Sequence, residues 1–259
     1  MKFGKKLPLT IGIKGAKYEH LIFTDADCQP LSNQWLNSMA SYFNDSKKIV
    51  MGYGPYRRRK GFINRLIRFD TAWIAMSYLG FAKSRMPYMG IGRNLAYTKE
   101  VFENVNGFKS HYGLSSGDDD LFIQEATHNS NYTINLEPES FCRSKAAANL
   151  DLWMQQKARH YTTSERYGVI KKLMLGIYPL SLLLMLGSFV SLLFDEEYIW
   201  ISLAVFTFLI IIKWIVLGKA FSKLKEHKFI PWILFWDIFY AIWTPIMYYS
   251  VSNSDKDKW

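Results

Sequence analysis

Three stretches near the C-terminal end set the tightest limit on what this chain can fold into: residues 173–194, 198–217 and 230–251. Crossing a hydrocarbon core takes about 20 apolar residues, and the first stretch supplies that length without a single charge. A chain of 259 residues cannot bury three such helices inside itself, so a membrane-spanning region over 171–259 is expected behind a domain over 1–170. Lys213 falls near the end of the second stretch, where a long side chain can snorkel. The third stretch holds Asp237, an acid with no partner evident from sequence, and Pro231 and Pro245 as sites for kinks. Lys171 and Lys172 precede the first span, Asp195, Glu196 and Glu197 follow it, and Lys219, Lys223, Lys225 and Lys228 separate the second from the third. By the positive-inside rule the N-terminal domain and the lysine loop are cytoplasmic and the acidic loop is outside, as in a multi-pass protein of a bacterial-type plasma membrane.

A formal net charge of +10 suits an anionic substrate or anionic headgroups. Arg57, Arg58, Arg59 and Lys60, then Arg65 and Arg68, interleave with apolar residues, which favours a membrane surface; no nucleic-acid module is present. Cys28 and Cys142 allow at most one disulfide and cannot make a zinc site alone, so both are expected as small buried residues in a reducing compartment. The opening residues, Met1 to Lys6, lack the apolar run of a signal peptide.

Within the N-terminal domain the chemistry centres on Leu21-Ile22-Phe23-Thr24-Asp25-Ala26-Asp27-Cys28-Gln29-Pro30. Residues of strand character run into carboxylates at i and i+2, which point to one side of an extended chain and can face one cation together. Mg²⁺ and Mn²⁺ favour hard oxygen ligands and complete their shells with water and phosphates, so a nucleotide diphosphate is the natural third party. A helix from about residue 7 to 18 precedes this strand and a second, 32–43, follows it, the alternation of a sheet that carries its sites at strand carboxyl ends. Residues 48–56 read as another strand closed by a Gly/Pro turn. Residues 62–83 trace an amphipathic helix, interrupted by charge, that either lies in the membrane surface or packs on the sheet.

Three further motifs carry donors and acids. In Met89-Gly90-Ile91-Gly92-Arg93-Asn94 the glycines permit close backbone approach, and Arg93 and Asn94 offer donors to phosphate or hydroxyl oxygens. Gly117-Asp118-Asp119-Asp120-Leu121 opens a helix through Ala126; capping needs one acid, and three held together against their repulsion make a candidate proton acceptor. Asn149 caps a helix over 150–161 on which Gln156 and Arg159 lie three apart, hence on one face, suited to gripping a diphosphate or remaining a solvated surface.

Taken in order over residues 4–167, these motifs resemble the family 2 inverting glycosyltransferases with a GT-A domain and a C-terminal membrane anchor: Thr24-Asp25-Ala26-Asp27 resembles the metal-binding DxD, Gly117-Asp118-Asp119-Asp120-Leu121 the acidic base motif, and Gln156-Lys157-Ala158-Arg159-His160 the QxxRW motif. The resemblance implies an α/β fold, a partial GT-A (Rossmann-like mixed sheet) domain followed by about three transmembrane helices. It implies transfer of a sugar from a nucleotide-sugar donor to a hydroxyl of a lipid or saccharide acceptor, with inversion. Asp25 and Asp27 would hold Mn²⁺ or Mg²⁺, Asp119 would take the acceptor proton with Asp118 next in line, Gln156 and Arg159 would contact diphosphate or acceptor, and Arg93 and Asn94 would line the acceptor side. His160 stands where the motif has Trp, which favours single-sugar transfer over polymer growth. The strand-rich half that precedes the DxD strand in this family is missing here, so a truncated start is expected, with an inactive membrane-anchored remnant or assembly subunit as the alternative.

Overall fold

The structure, a computed structural model, describes residues 4–252. The chain divides into two compact units, the first ending at Arg166 and the second beginning at Tyr167.

In the first unit α1 (Lys6–Gly15) leads into β1 (His20–Phe23), whose end releases the acidic tip into a turn before the two-residue β2 (Gln29–Pro30). Then come α2 (Trp35–Ala40), β3 (Ile49–Met51), α3 (Phe62–Lys83), β4 (Leu95–Thr98), α4 (Lys99–Asn104), α5 (Asp120–Ala126), β5 (Tyr132–Ile134), β6 (Cys142–Arg143) and α6 (Leu150–Ser164). Four strands form one mixed sheet in the order β1-β4-β3-β5, with β4 antiparallel to both neighbours and β3 parallel to β5. The β-branched and aliphatic β3 and all of β4 are buried, as central strands covered on both faces should be. By contrast β1 lies at the sheet edge, only half-buried, in register through Phe23 with Leu95. That register sets the residues after Phe23 beside those before Leu95, the tip beside the glycine loop. The pair β2 and β6 forms a separate ribbon, Pro30 opposite Cys142, where a residue without an N–H is tolerated.

Met39 of α2, Val50 and Ala96 pack with Ile22 and Trp35 on one face of the sheet. On the other side Tyr97, Phe102, Phe108 and Phe122 form an aromatic cluster, with Tyr97 and Phe122 ring centroids 4.5 Å apart. Phe122 belongs to α5, so this cluster fixes the helix that carries the acids. The helix expected over 32–43 is shorter, because Asn44 accepts the N–H groups of Ser46 and Lys47 and draws the following chain into a turn. Of the two placements open to α3 from sequence, the structure adopts packing inside the protein: Leu66, Ile67, Phe69, Ala72, Ala75, Tyr78 and Leu79 are buried. Its Asp70 is buried too, ion-paired at 2.6 Å with Lys157 of α6.

The second unit holds α7 (Val169–Leu192), α8 (Ile199–Lys223) and, after a 3₁₀ turn over His227–Trp232, α9 (Ile233–Ser252). Three helical segments, Val169–Leu192, Ile199–Lys223 and His227–Ser250, are long and apolar enough to cross a membrane. Two expectations are corrected here. Helix α8 runs on to Lys223, so Lys213 lies inside it and turns inward rather than snorkelling. Asp237 is also not alone: Lys213 ion-pairs with it and the Tyr178 hydroxyl donates to both its oxygens, at 2.9 and 3.1 Å. In an apolar setting an uncompensated charge is so costly that the helices supply each other's counter-groups.

Candidate active site

Two consecutive residues of the glycine loop hold the site together. The Gly92 N–H donates to Asp119 Oδ2 at 3.0 Å, while the Arg93 carbonyl accepts from the Thr24 hydroxyl at 3.0 Å. One short loop thus ties the acid cluster to the strand tip, and Asp25 bears electrostatically on both Asp118 and Asp119. A Cβ on Gly92 would meet Asp118 and Asp119 oxygens at 3.8 Å, so both carboxylates face this loop.

The three acids of the cluster take different parts. Asp120 is buried and structural: its oxygens accept the Leu121 N–H at 2.8 Å and the Thr163 hydroxyl of α6. Asp119 caps α5 through the Asp120 N–H at 2.8 Å and keeps its other oxygen at Gly92. Partial burial first, then the charge of Asp120, pushes the Asp119 carboxyl up to about 6. Burial and the neighbouring Asp119 raise Asp118 likewise to about 6, with Lys5 opposing. Asp118 and Asp119 therefore sit near neutrality in proton affinity, the range that suits a general base.

At the strand tip, one ligand atom each from Asp25, Asp27 and Cys28 lie within 4.8 Å of one another. Two carboxylates and a thiol so arranged fit a divalent cation, and a positive group already occupies the neighbourhood: Lys5 Nζ stands 2.5 Å from Asp25 Oδ1. Cys28, expected as a buried apolar residue, is half-exposed at this tip, and only Cys142 is buried.

Arg93 lies over the Tyr56 ring at 4.2 Å, and Gln156 Nε2 donates to the Tyr56 hydroxyl at 3.0 Å, which joins the glycine loop to α6. Arg159 projects from the exposed face of that helix, and Arg159 and Arg93 both bear on the ring of His160. Asn94 is fully buried and spends its amide hydrogens on the Tyr53 and Ser140 carbonyls, while its oxygen accepts from Trp35. It shapes the loop from behind. A cavity of about 230 Å³ beside Arg59, Lys60, Phe62 and Asn64 includes none of the acids.

Sequence alone gives no separate role to Lys5, Lys6, Tyr56 or, within the acidic motif, Thr24. Lys6 is fully buried and donates to the carbonyls of His111, Leu114 and Ser116 at 2.8, 2.7 and 2.5 Å, clasping the loop that leads to the acids. Two adjacent lysines at a helix start, where the helix dipole disfavours cations, were the available signal.

A family model described as glycosyl transferase family group 2 matches residues 21–249. No curated protein matches the chain.

Proposed function

The chain belongs to glycosyl transferase family group 2, and from that premise we propose that it moves a sugar, a hexosyl or related unit, from a nucleotide-diphosphate donor to a hydroxyl of a lipid or saccharide acceptor, with inversion at the anomeric carbon. The observation that carries the reading is the clamp of residues 92 and 93, which keeps the Asp25 tip and Asp119 at one place. Asp119 takes the acceptor proton, Asp118 being the next choice, as the acceptor oxygen bonds to the anomeric carbon and the bond to the diphosphate oxygen breaks. Asp25 and Asp27 hold Mn²⁺ or Mg²⁺, with Cys28 within reach as a further donor. When bound, such a cation offsets charge on the leaving diphosphate. Gln156, Arg159 and Arg93 bind diphosphate or acceptor oxygens, and Asn94 sets the loop that presents Arg93. Lysines flanking the apolar helices and acids between α7 and α8 support a cytoplasmic site on a multi-pass membrane protein.

The test is release of nucleoside diphosphate from a panel of nucleotide sugars by the full chain in detergent. An Asp119→Asn variant is expected to lose about 10²–10⁴-fold in kcat, the usual worth of a positioned base. Undiminished turnover by that variant would remove Asp119 from the role. Donor-dependent turnover by this chain sets aside the inactive remnant.

A further inference from the structure

We propose that Lys5 is a donor-binding residue held in reserve: its ammonium, seated on Asp25, leaves that carboxylate for the donor's diphosphate when a divalent cation takes the strand tip. The inference rests on the transferase reading and adds to it a residue and an exchange.

The starting point is the pair itself. Lys5 Nζ lies 2.5 Å from Asp25 Oδ1, on one of the groups whose ligand atoms converge at the tip. An ammonium and a divalent cation repel at such a distance, so Lys5 must move for a cation to bind there. It can do so without disturbing the fold. The side chain is 58% exposed and extends on a flexible four-carbon stem. Its backbone is held by the next residue, because Lys6 is fastened to the three carbonyls of the 111–116 loop. One lysine is the anchor and the other the free arm.

Where that arm can go is bounded by the charges around it. Lys5 also feels the charges of Asp118 and Asp119, so the acid cluster attracts its ammonium from the strand tip. On the transferase reading, the diphosphate lies against the cation at the tip, with the acceptor hydroxyl at Asp119. A donor diphosphate brought among Asp25, Asp27, Asp118 and Asp119 meets four carboxylates, and the ammonium seated on Asp25 is a cation already at that tip. Charge-assisted bonds from Lys5 to phosphate oxygens would then replace its bond to Asp25. A solvated ion pair worth little by itself gains in this way a use in binding.

Opposite signs make the proposal testable in the full chain, without turnover. Mn²⁺ alone is titrated while free Mn²⁺ is followed by electron paramagnetic resonance; inorganic pyrophosphate is then titrated calorimetrically at saturating Mn²⁺. Lys5→Met is expected to bind Mn²⁺ about fivefold more tightly, having lost the competing cation, and pyrophosphate about tenfold more weakly. The same loss is expected for the tightest binder of a nucleoside diphosphate panel; a loss confined to pyrophosphate overturns the assignment to the donor. Unchanged affinities for both ligands overturn the role of Lys5 and leave the transferase intact. A parallel weakening of both, with a lowered melting midpoint, marks a structural residue and overturns it too. If wild-type protein binds no Mn²⁺, the metal-bearing tip falls and takes this inference with it.

Discussion

Carboxylates in the two units are managed in opposite ways. In the second unit Asp237 is 2% exposed, and it is matched by a lysine and a tyrosine from two other helices. Around the first unit's glycine loop Asp25, Asp118 and Asp119 face one another's charge, and burial adds to the strain on the latter two. The first unit can also neutralise an acid fully when the acid is structural, as Lys157 does for Asp70. Crowding at the loop is therefore a local property of the site. It teaches that a buried acid with its counter-ion in place holds helices together, whereas acids crowded by one another, or paired as Asp25 is only with the solvent-exposed Lys5, are open to a proton or a cation.

The contrast breaks if removing a carboxylate has the same consequence in both places. Asp119→Asn should give the largest effect on turnover, the 10²–10⁴-fold loss given above, with only a small change in melting midpoint, because relief of the repulsion offsets the loss of one of the two N–H groups, Gly92 or Asp120, that an amide nitrogen cannot accept. Lys213→Met should do the reverse. Leaving Asp237 buried without its cation should cost about 3–5 kcal/mol of stability, read as a lowered melting midpoint in detergent, and the double variant with Asp237→Leu should recover most of it. Failure of the double variant to recover would show that Tyr178 and its surroundings, rather than the charge pair, hold these helices.

The pH dependence sharpens the same comparison. With Asp118 and Asp119 raised to about 6, the proposed base is charged only above that pH, so kcat/KM should climb about tenfold per pH unit below it and level off above. Stability of the metal-free protein should move oppositely. A carboxyl whose folded pKa is raised from 3.8 contributes stability that is complete below that value and is lost as pH rises through about 6. Melting midpoints taken from pH 4 to pH 7 should register that loss, and Asp118→Asn should flatten it. The smallest effect concerns Cys28. A thiolate favours softer metals, so Cys28→Ser should reduce the preference for Mn²⁺ over Mg²⁺ by about threefold in calorimetric titrations.

Much of this was legible in the chain because it is local. Asp25 and Asp27 announce themselves by spacing, the Asp118 to Asp120 run by its cost, and Gln156 by its place on one helical face. What was hidden depends on partners far away in sequence: Thr24 reaches Arg93 across 69 residues and Lys6 reaches its three carbonyls across 105, 108 and 110. No local pattern encodes such a register. For α3 the amphipathic spacing showed that one face is apolar but not whether protein or lipid covers it. Lys213 illustrates the same limit, since hydropathy counts its charge as a defect in a span while the fold uses it as the counter-ion of Asp237.

The clasp around Lys6 also bears on how the protein is made. During synthesis residue 6 emerges long before the carbonyls of His111, Leu114 and Ser116 exist, so in the interim its ammonium has only water to bond. Closing so long a loop is slow, and local elements gain nothing from it until both ends have met. The acidic strand tip waits for β4 and Arg93 to be made, and the loop bearing Asp119 is locked only when the first helix docks.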